Sequence, residues 1–119
     1  MLISNGYLYK NTEGANAIAR KQFETVFDVI NWGREKGLSD PKAQLNKVME
    51  ELGEIAHEIT RNRYDSDELV DAIGDTLVTI LILSDICGQD PMECLASAYD
   101  VIKDRKGITE NGTFVKESN

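Results

Sequence analysis

Asp-Pro occurs twice in this chain, at Asp40-Pro41 and Asp90-Pro91, and these are its only two prolines. An aspartate carboxylate can accept the free N–H groups that open a helix. A proline directly after it takes the first helical position, where no N–H is needed. Two such starts, with Gly37, Gly88 and Gly107 as matching stop signals, divide the chain into helices. The first is predicted from Ala15 to Lys36, with Phe23, Val26, Val29 and Ile30 as its apolar stripe. The second runs from Pro41 to about Arg61, and the third from Ser66 or Asp67 to Gly88. The fourth runs from Pro91 to about Lys106 and carries Glu93 near the capping-box position. The link RNRYDSD, between the second and third helices, is polar and turn-like.

A chain of 119 residues, 41% hydrophobic and only 7% aromatic, can bury one core. The expected fold class is therefore all-α: a four-helix, bundle-like single domain spanning 1–119. Asn111-Gly112, between short β-branched and aromatic segments, predicts a C-terminal β-hairpin over 108–117. Asn5-Gly6 has a similar setting, but an isolated two-stranded hairpin is marginal in water. Residues 1–14 are accordingly read as an irregular N-terminal segment.

The formal net charge is −8, from 13 basic and 21 acidic side chains. Such a surface repels phosphate backbones, so nucleic acid is not an expected partner. Cys87 and Cys94 form no metal-binding pattern and are expected as small, reduced core residues. The longest apolar run, Leu77 to Leu83, is too short to span a bilayer, and no signal-peptide pattern opens the chain. An intracellular, cytoplasmic protein with no membrane partner is expected.

The acidic residues are not scattered. On the second helix Leu45, Val48, Met49, Leu52, Ile55, Ala56 and Ile59 share one arc. Lys47, Glu51, Glu54 and Glu58 share another, with Glu50 at its edge. A solvated face with a Lys47–Glu51 pair explains part of this, yet clustered like charges repel at these spacings. On the third helix Glu68, Asp71 and Asp75 form one stripe leading into the apolar run, which is expected to be centrally buried. An unpaired carboxylate at Asp75 would then cost several kcal/mol in desolvation. No lysine or arginine on that helix offsets it. A divalent cation does, and oxygen-only donors on facing helices suit Mg²⁺, with Mn²⁺ as the alternative.

EELGE at Glu50–Glu54, followed about twenty residues later by an acidic segment ending in IGD at Asp75, resembles the MazG-like all-α nucleoside triphosphate pyrophosphohydrolases. Their signature is EExxE and then ExxD on the next helix. The resemblance runs from about Ala17 to Lys116, through IKDRKG and NGTFVK, and is closest to the small single-domain members of bacteria and phages. It implies metal ligation by Glu51, Glu54 and Asp75, with Glu50 completing the first motif. Many members carry Glu three residues before the final Asp, where this chain has Ala72. Asp71 or Glu68 is then the substitute, or ELVD itself is the ExxD. The resemblance also implies Mg²⁺-dependent cleavage of NTP or dNTP to monophosphate and pyrophosphate, with Glu50 or Glu51 as proton acceptor, in a homodimer or homotetramer.

Lys103, Arg105 and Lys106 complement a helix C-terminus, and in the family pattern they contact phosphate, as does Lys47. Trp32, the only tryptophan, suits the core, and the resemblance also makes it a candidate to stack on the base. His57 is expected to be exposed or peripheral, and Tyr99 to be core. Two rival readings remain: an acidic helical interaction module without chemistry, and a phosphoribosyl-ATP pyrophosphatase.

Overall fold

The structure, a computed structural model, describes residues 3–4, 7–8 and 13–117. Four helices follow one another: α1 (Glu13–Glu35), α2 (Pro41–Ile59), α3 (Asp67–Ile86) and α4 (Pro91–Ile102). Before them β1 (Ile3–Ser4) pairs antiparallel with β2 (Tyr7–Leu8), and after them β3 (Gly107–Glu110) pairs with β4 (Thr113–Lys116). The expected all-α class with a C-terminal hairpin is what the chain adopts. The segment 1–14, read as irregular, instead holds the β1–β2 pairing and the first residues of α1, and Asn5-Gly6 lies outside the described residues.

Both Asp-Pro starts act as caps. Asp40 Oδ1 accepts Lys42 N–H at 3.0 Å, and Asp90 Oδ1 accepts Met92 N–H at 2.9 Å. Gly37 and Gly88 stop α1 and α3 at φ 73°, the left-handed region that a glycine enters without a Cβ clash. The end of α2 uses the same geometry at Asn62, with φ 57°. There Arg63 N–H donates back to the Glu58 carbonyl at 3.0 Å. The fourth helix stops at Ile102, short of the expected Lys106. The chain turns at 103–104 and enters β3 at Gly107, and the Lys106 carbonyl accepts Glu117 N–H at the base of the β3–β4 hairpin. Asn111 and Gly112 form its tight turn with φ 51° and 78°.

The dominant packing unit is the antiparallel α2–α3 hairpin, and α1 and α4 lean on α3. Its seam is lined on α2 by Gln44, Val48, Glu51, Ile55 and Glu58, which are buried or half-buried at a 3.5-residue spacing. Leu69, Ala72, Thr76 and Thr79 answer from α3. The register is pinned at both ends. Gln44 Nε2 donates to the Thr79 carbonyl at 3.1 Å, and Ser66 Oγ donates to Glu58 Oε1 at 2.8 Å. On another face of α3, Ile82 packs on Gly33 of α1, where a Cβ would come within 3.0 Å of its side chain. Arg34 then locks α1 to α3 through a two-pronged contact with Asp85, at 2.9 and 2.6 Å.

Several expected core residues are not core. The buried apolar side chains among the described residues are Leu69, Ala72 and Ile82. Leu77 is 57% exposed and Ile80 is also exposed, so the apolar run of α3 is not enclosed within this chain. Tyr99, Cys87 and Cys94 are exposed as well, because α4 and the end of α3 carry little above them. Trp32, expected to suit the core, is 49% exposed. On α2 the arc of Leu45, Met49, Leu52 and Ile59 points outward, and the more polar neighbouring arc faces α3.

Candidate functional site

At 100° per residue, each helix of the hairpin has two flanks beside the seam. On α2 the seam residues are flanked on one side by Lys47, Glu50 and Glu54, and on the other by Leu45, Met49, Leu52 and Ile59. On α3 they are flanked by Glu68, Asp71 and Asp75, and opposite these by Val70, Ile73, Leu77 and Ile80. Because the helices run antiparallel, the two acidic rows fall on the same side of the hairpin and the two apolar rows on the other.

The carboxylates named from sequence are spread along this acidic flank. Glu54, Glu68, Asp71 and Asp75 are exposed on it. Glu51 is half-buried at its inner edge. The two register contacts set Glu51 opposite Ala72 and Thr76, whose small side chains leave room for it in the seam. Ala72 is 4% exposed and faces α2, whereas Glu68, Asp71 and Asp75 share the open stripe.

Glu58 serves another purpose. It is 3% exposed, accepts Ser66 Oγ–H, and has Arg63 Nη1 at 3.5 Å. Ser66 Oγ in turn accepts Leu69 N–H at 3.0 Å and caps α3. The buried charge thus ties the end of α2 to the start of α3. His57 is exposed, with Nε2 3.9 Å from Glu58.

A cleft of about 680 Å³ opens beside the α2 part of the acidic flank, lined by the 37–40 loop, Ala43, Gln44, Asn46, Lys47 and Glu50. Its size suits a small-molecule ligand. Lys47 Nζ lies 3.1 Å from Glu50 Oε2, and not on Glu51 as the sequence suggested. The hydrogen bond and charge of Glu50 hold the Lys47 ammonium above the ordinary lysine value, so it remains a cation at any physiological pH. The loop and Gln44 carry no motif in the sequence. A glutamine in seam register with Val48, Glu51 and Ile55 was the available signal, because a buried amide there must find a partner.

The remaining candidates lie elsewhere. Lys103 caps α4 and pairs with Asp100 at 3.2 Å. Arg105 follows it in a turn, and Lys106 lines a separate cleft at the foot of the β3–β4 hairpin. The three basic residues therefore lie past the end of α4 and not on its last turn. Trp32 sits on the last turns of α1, next to the Gly33 contact with α3. A cleft between α1 and the α3–α4 link contains Phe23, Phe27 and the Arg34–Asp85 pair, but none of the motif carboxylates.

Among the described residues no three His, Cys, Asp or Glu side chains stand close enough to form a finished metal cage. The donor set nevertheless fits a hard divalent cation in kind: Glu51, Glu54, Glu68, Asp71 and Asp75 offer only carboxylate oxygens, all on one flank. No helix among the described residues is long and apolar enough to cross a membrane.

The chain is thus an all-α protein built on a helical hairpin, with carboxylate rows on facing helices beside a lysine-bearing cleft. The model of the MazG nucleotide pyrophosphohydrolase domain matches residues 39–104, more than half of the chain, and the protein belongs to that family. The match contains both acidic motifs, Lys47 and Lys103, and ends before Arg105 and Lys106. Trp32 precedes it. No curated protein and no solved structure matches the chain significantly.

Proposed function

We propose that this chain is a Mg²⁺-dependent nucleoside triphosphate pyrophosphohydrolase that converts NTP or dNTP to the monophosphate and pyrophosphate, acting in the cytoplasm. The observation that carries the reading is the acidic flank itself: two carboxylate rows on one side of the α2–α3 hairpin, adjoining the cleft that holds Lys47. Family membership supplies the reaction class. Glu51, Glu54, Asp75, Asp71 and Glu68 are the residues to hold Mg²⁺, or Mn²⁺ in its place. When bound, such ions neutralise triphosphate charge and acidify a water.

The residues of the chain divide the remaining work. Lys47 is a point charge for a phosphate oxygen, exchanging its Glu50 partner for substrate. Glu50, released by that exchange, or Glu51 accepts the proton of the attacking water at a carboxylate oxygen. The bond broken lies between the α- and β-phosphates, and pyrophosphate leaves. Trp32 offers a half-exposed indole face for a base. Lys103, Arg105 and Lys106 are the outlying candidates for phosphate contact.

The test is pyrophosphate release across a panel of ribo- and deoxyribonucleoside triphosphates and phosphoribosyl-ATP, with an EDTA control. Release from at least one nucleoside triphosphate is expected with Mg²⁺, and its loss in Glu54→Ala and Asp75→Ala. Silence across the panel at every Mg²⁺ and Mn²⁺ level would leave a helical interaction module. Release from phosphoribosyl-ATP alone would move the enzyme to a different substrate.

A further inference from the structure

Gln44 sits in the α2–α3 seam with one end of its amide tied down and the other end free. It is 6% exposed, and its Nε2 donates to the Thr79 carbonyl at 3.1 Å. A carbonyl cannot donate, so the atom facing Thr79 is the nitrogen and the orientation of the amide is settled. Among the described residues nothing donates to the other atom, Oε1. A buried amide ordinarily has both ends satisfied. No fully buried side-chain oxygen among the described residues lacks a partner, so Oε1 reaches open space. The open space at Gln44 is the cleft of about 680 Å³ that it lines with Asn46, Lys47 and Glu50. The fold thus presents one hydrogen-bond acceptor to that cleft, held in place by a contact across the seam.

Along α2 the order is Gln44, Lys47, Glu51, at spacings of three and four residues that keep to one side of the helix. Lys47 and Glu51 are the proposed phosphate and metal contacts, and the inference rests on that reading. The cleft lies on the Gln44 side of Glu51, and Glu54 lies beyond it. Gln44 is about 10 Å from Glu51 along the helix axis. That is the span of a nucleoside from its 5′ oxygen to the far edge of its base, and the sugar hydroxyls fall short of it. We infer that Gln44 determines specificity: its fixed Oε1 accepts an N–H of an exocyclic amine on the base, so the cleft selects cytosine and adenine nucleotides over their keto counterparts, uracil and hypoxanthine.

An amine at that edge has a hydrogen for Oε1. A keto oxygen in its place sets two acceptors against each other, and both lose water without gaining a partner. Turning the amide over offers no escape, because Oε1 would then face the Thr79 carbonyl and the seam contact would be lost. The rest of the lining leans the same way. Asp40 and Glu50 add carboxylate oxygens, of which Asp40 Oδ1 is taken by the α2 cap and Glu50 Oε2 by Lys47. Lys47 is the one cation on the cleft wall among the described residues.

The test compares kcat/KM for pyrophosphate release from CTP, UTP, ATP, ITP and the triphosphate of 2-pyrimidinone riboside, which has neither amine nor keto group at the pyrimidine edge. CTP should exceed UTP, and ATP should exceed ITP, by about tenfold or more, with the 2-pyrimidinone nucleotide between CTP and UTP. Gln44→Met, close in volume, should bring the CTP/UTP ratio to about one. A purely structural Gln44 would lower stability and leave the ratio as it was. Should Gln44→Met fail to fold by circular dichroism, the three pyrimidine nucleotides on the wild-type chain decide alone. Calorimetric titration with α,β-methylene CTP and UTP, which resist cleavage at the proposed bond, reads the same preference without turnover. Tighter binding of the cytosine analogue with no pyrophosphate from any nucleotide would sink the hydrolysis and keep the inference. Turnover with equal values for CTP, UTP and the 2-pyrimidinone nucleotide, or with UTP preferred, overturns the inference and keeps the hydrolysis. A ribose-over-deoxyribose preference that disappears in Gln44→Met would also overturn it, since Oε1 would then be reading the sugar. No binding of either analogue ends both.

Discussion

Glu54 and Leu52 are two residues apart on α2 and are both exposed, as are Asp75 and Ile73 on α3. One member of each pair belongs to the acidic flank and the other to the apolar flank of the same hairpin. Exposure means opposite things on the two sides. An exposed carboxylate is at rest in water, whereas a row of exposed leucines and isoleucines leaves apolar surface in water at a cost. Between them the seam carries the folding of the hairpin, and it is the most mixed of the three surfaces, with Gln44, Glu51, Glu58 and Thr76 among its members. The proposed site and the packing that folds the hairpin thus occupy different parts of the circumference of two helices. Substitutions can be aimed at one without the other.

The sharpest separation should come from the acidic flank. Glu54→Ala and Asp75→Ala are expected to lower pyrophosphate release by about a hundredfold or more, the scale of losing a metal ligand. Among the described residues neither side chain makes a hydrogen bond or ion pair, so the melting temperature should stay as it is. Loss of activity accompanied by unfolding would erase the distinction between the flanks.

The seam predicts the reverse. Ala72→Glu supplies a carboxylate at the place where the EExxE/ExxD pattern that the sequence resembles would have one, and a reading by motif alone expects it to help. Here position 72 faces α2 opposite Glu51, with no basic partner, so a second buried charge is expected to cost roughly 3 kcal/mol. Denaturant titration would register it as a lower midpoint. Gain of activity with unchanged stability would show that ExxD is read in the Ala72–Asp75 frame after all, and that Glu68 and Asp71 are bystanders. A smaller effect comes from the link: Ser66→Ala removes the α3 cap and leaves Glu58 short of a partner, for about 1 kcal/mol. Activity per folded molecule should persist.

These contrasts also mark what the sequence could and could not disclose. Helix starts were legible because Asp40-Pro41 and Asp90-Pro91 are local devices, complete within three residues. The Asn111-Gly112 turn was legible for the same reason. The α4 terminus was not, because the chain leaves the helix at Ile102 to enter a hairpin whose base is closed by Glu117, fifteen residues further on. The acidic rows of the site were visible in helical spacing, but the role of Glu58 was not. Its stripe overlaps the seam by phase, and only the Ser66 and Arg63 contacts turn it from a candidate site residue into a tie between helices. Most instructive is the strong apolar arc of α2. Periodicity showed that the arc must be buried, yet it holds no information about whether the cover belongs to the same chain. Gln44 and Glu58 reach α3 instead because each finds a hydrogen-bond partner there.

The smallest expected effect concerns α1, the helix that borders the acidic side. Its hold on α3 includes the Arg34–Asp85 pair, and the hydrogen bonds from Arg34 keep the Asp85 carboxyl below the usual aspartate range, against a smaller opposing effect of partial burial. A carboxylate with a lower pKa folded than unfolded stabilises the fold above its unfolded value, near 4, and loses that contribution as pH falls through the folded one. Arg34 is largely open to water, which screens the pair and keeps the effect modest. Wild type should therefore melt a few degrees above Asp85→Asn at neutral pH, and the gap should close as the pH drops below about 4. The difference between the two proteins isolates this pair from the other carboxylates that titrate over the same range.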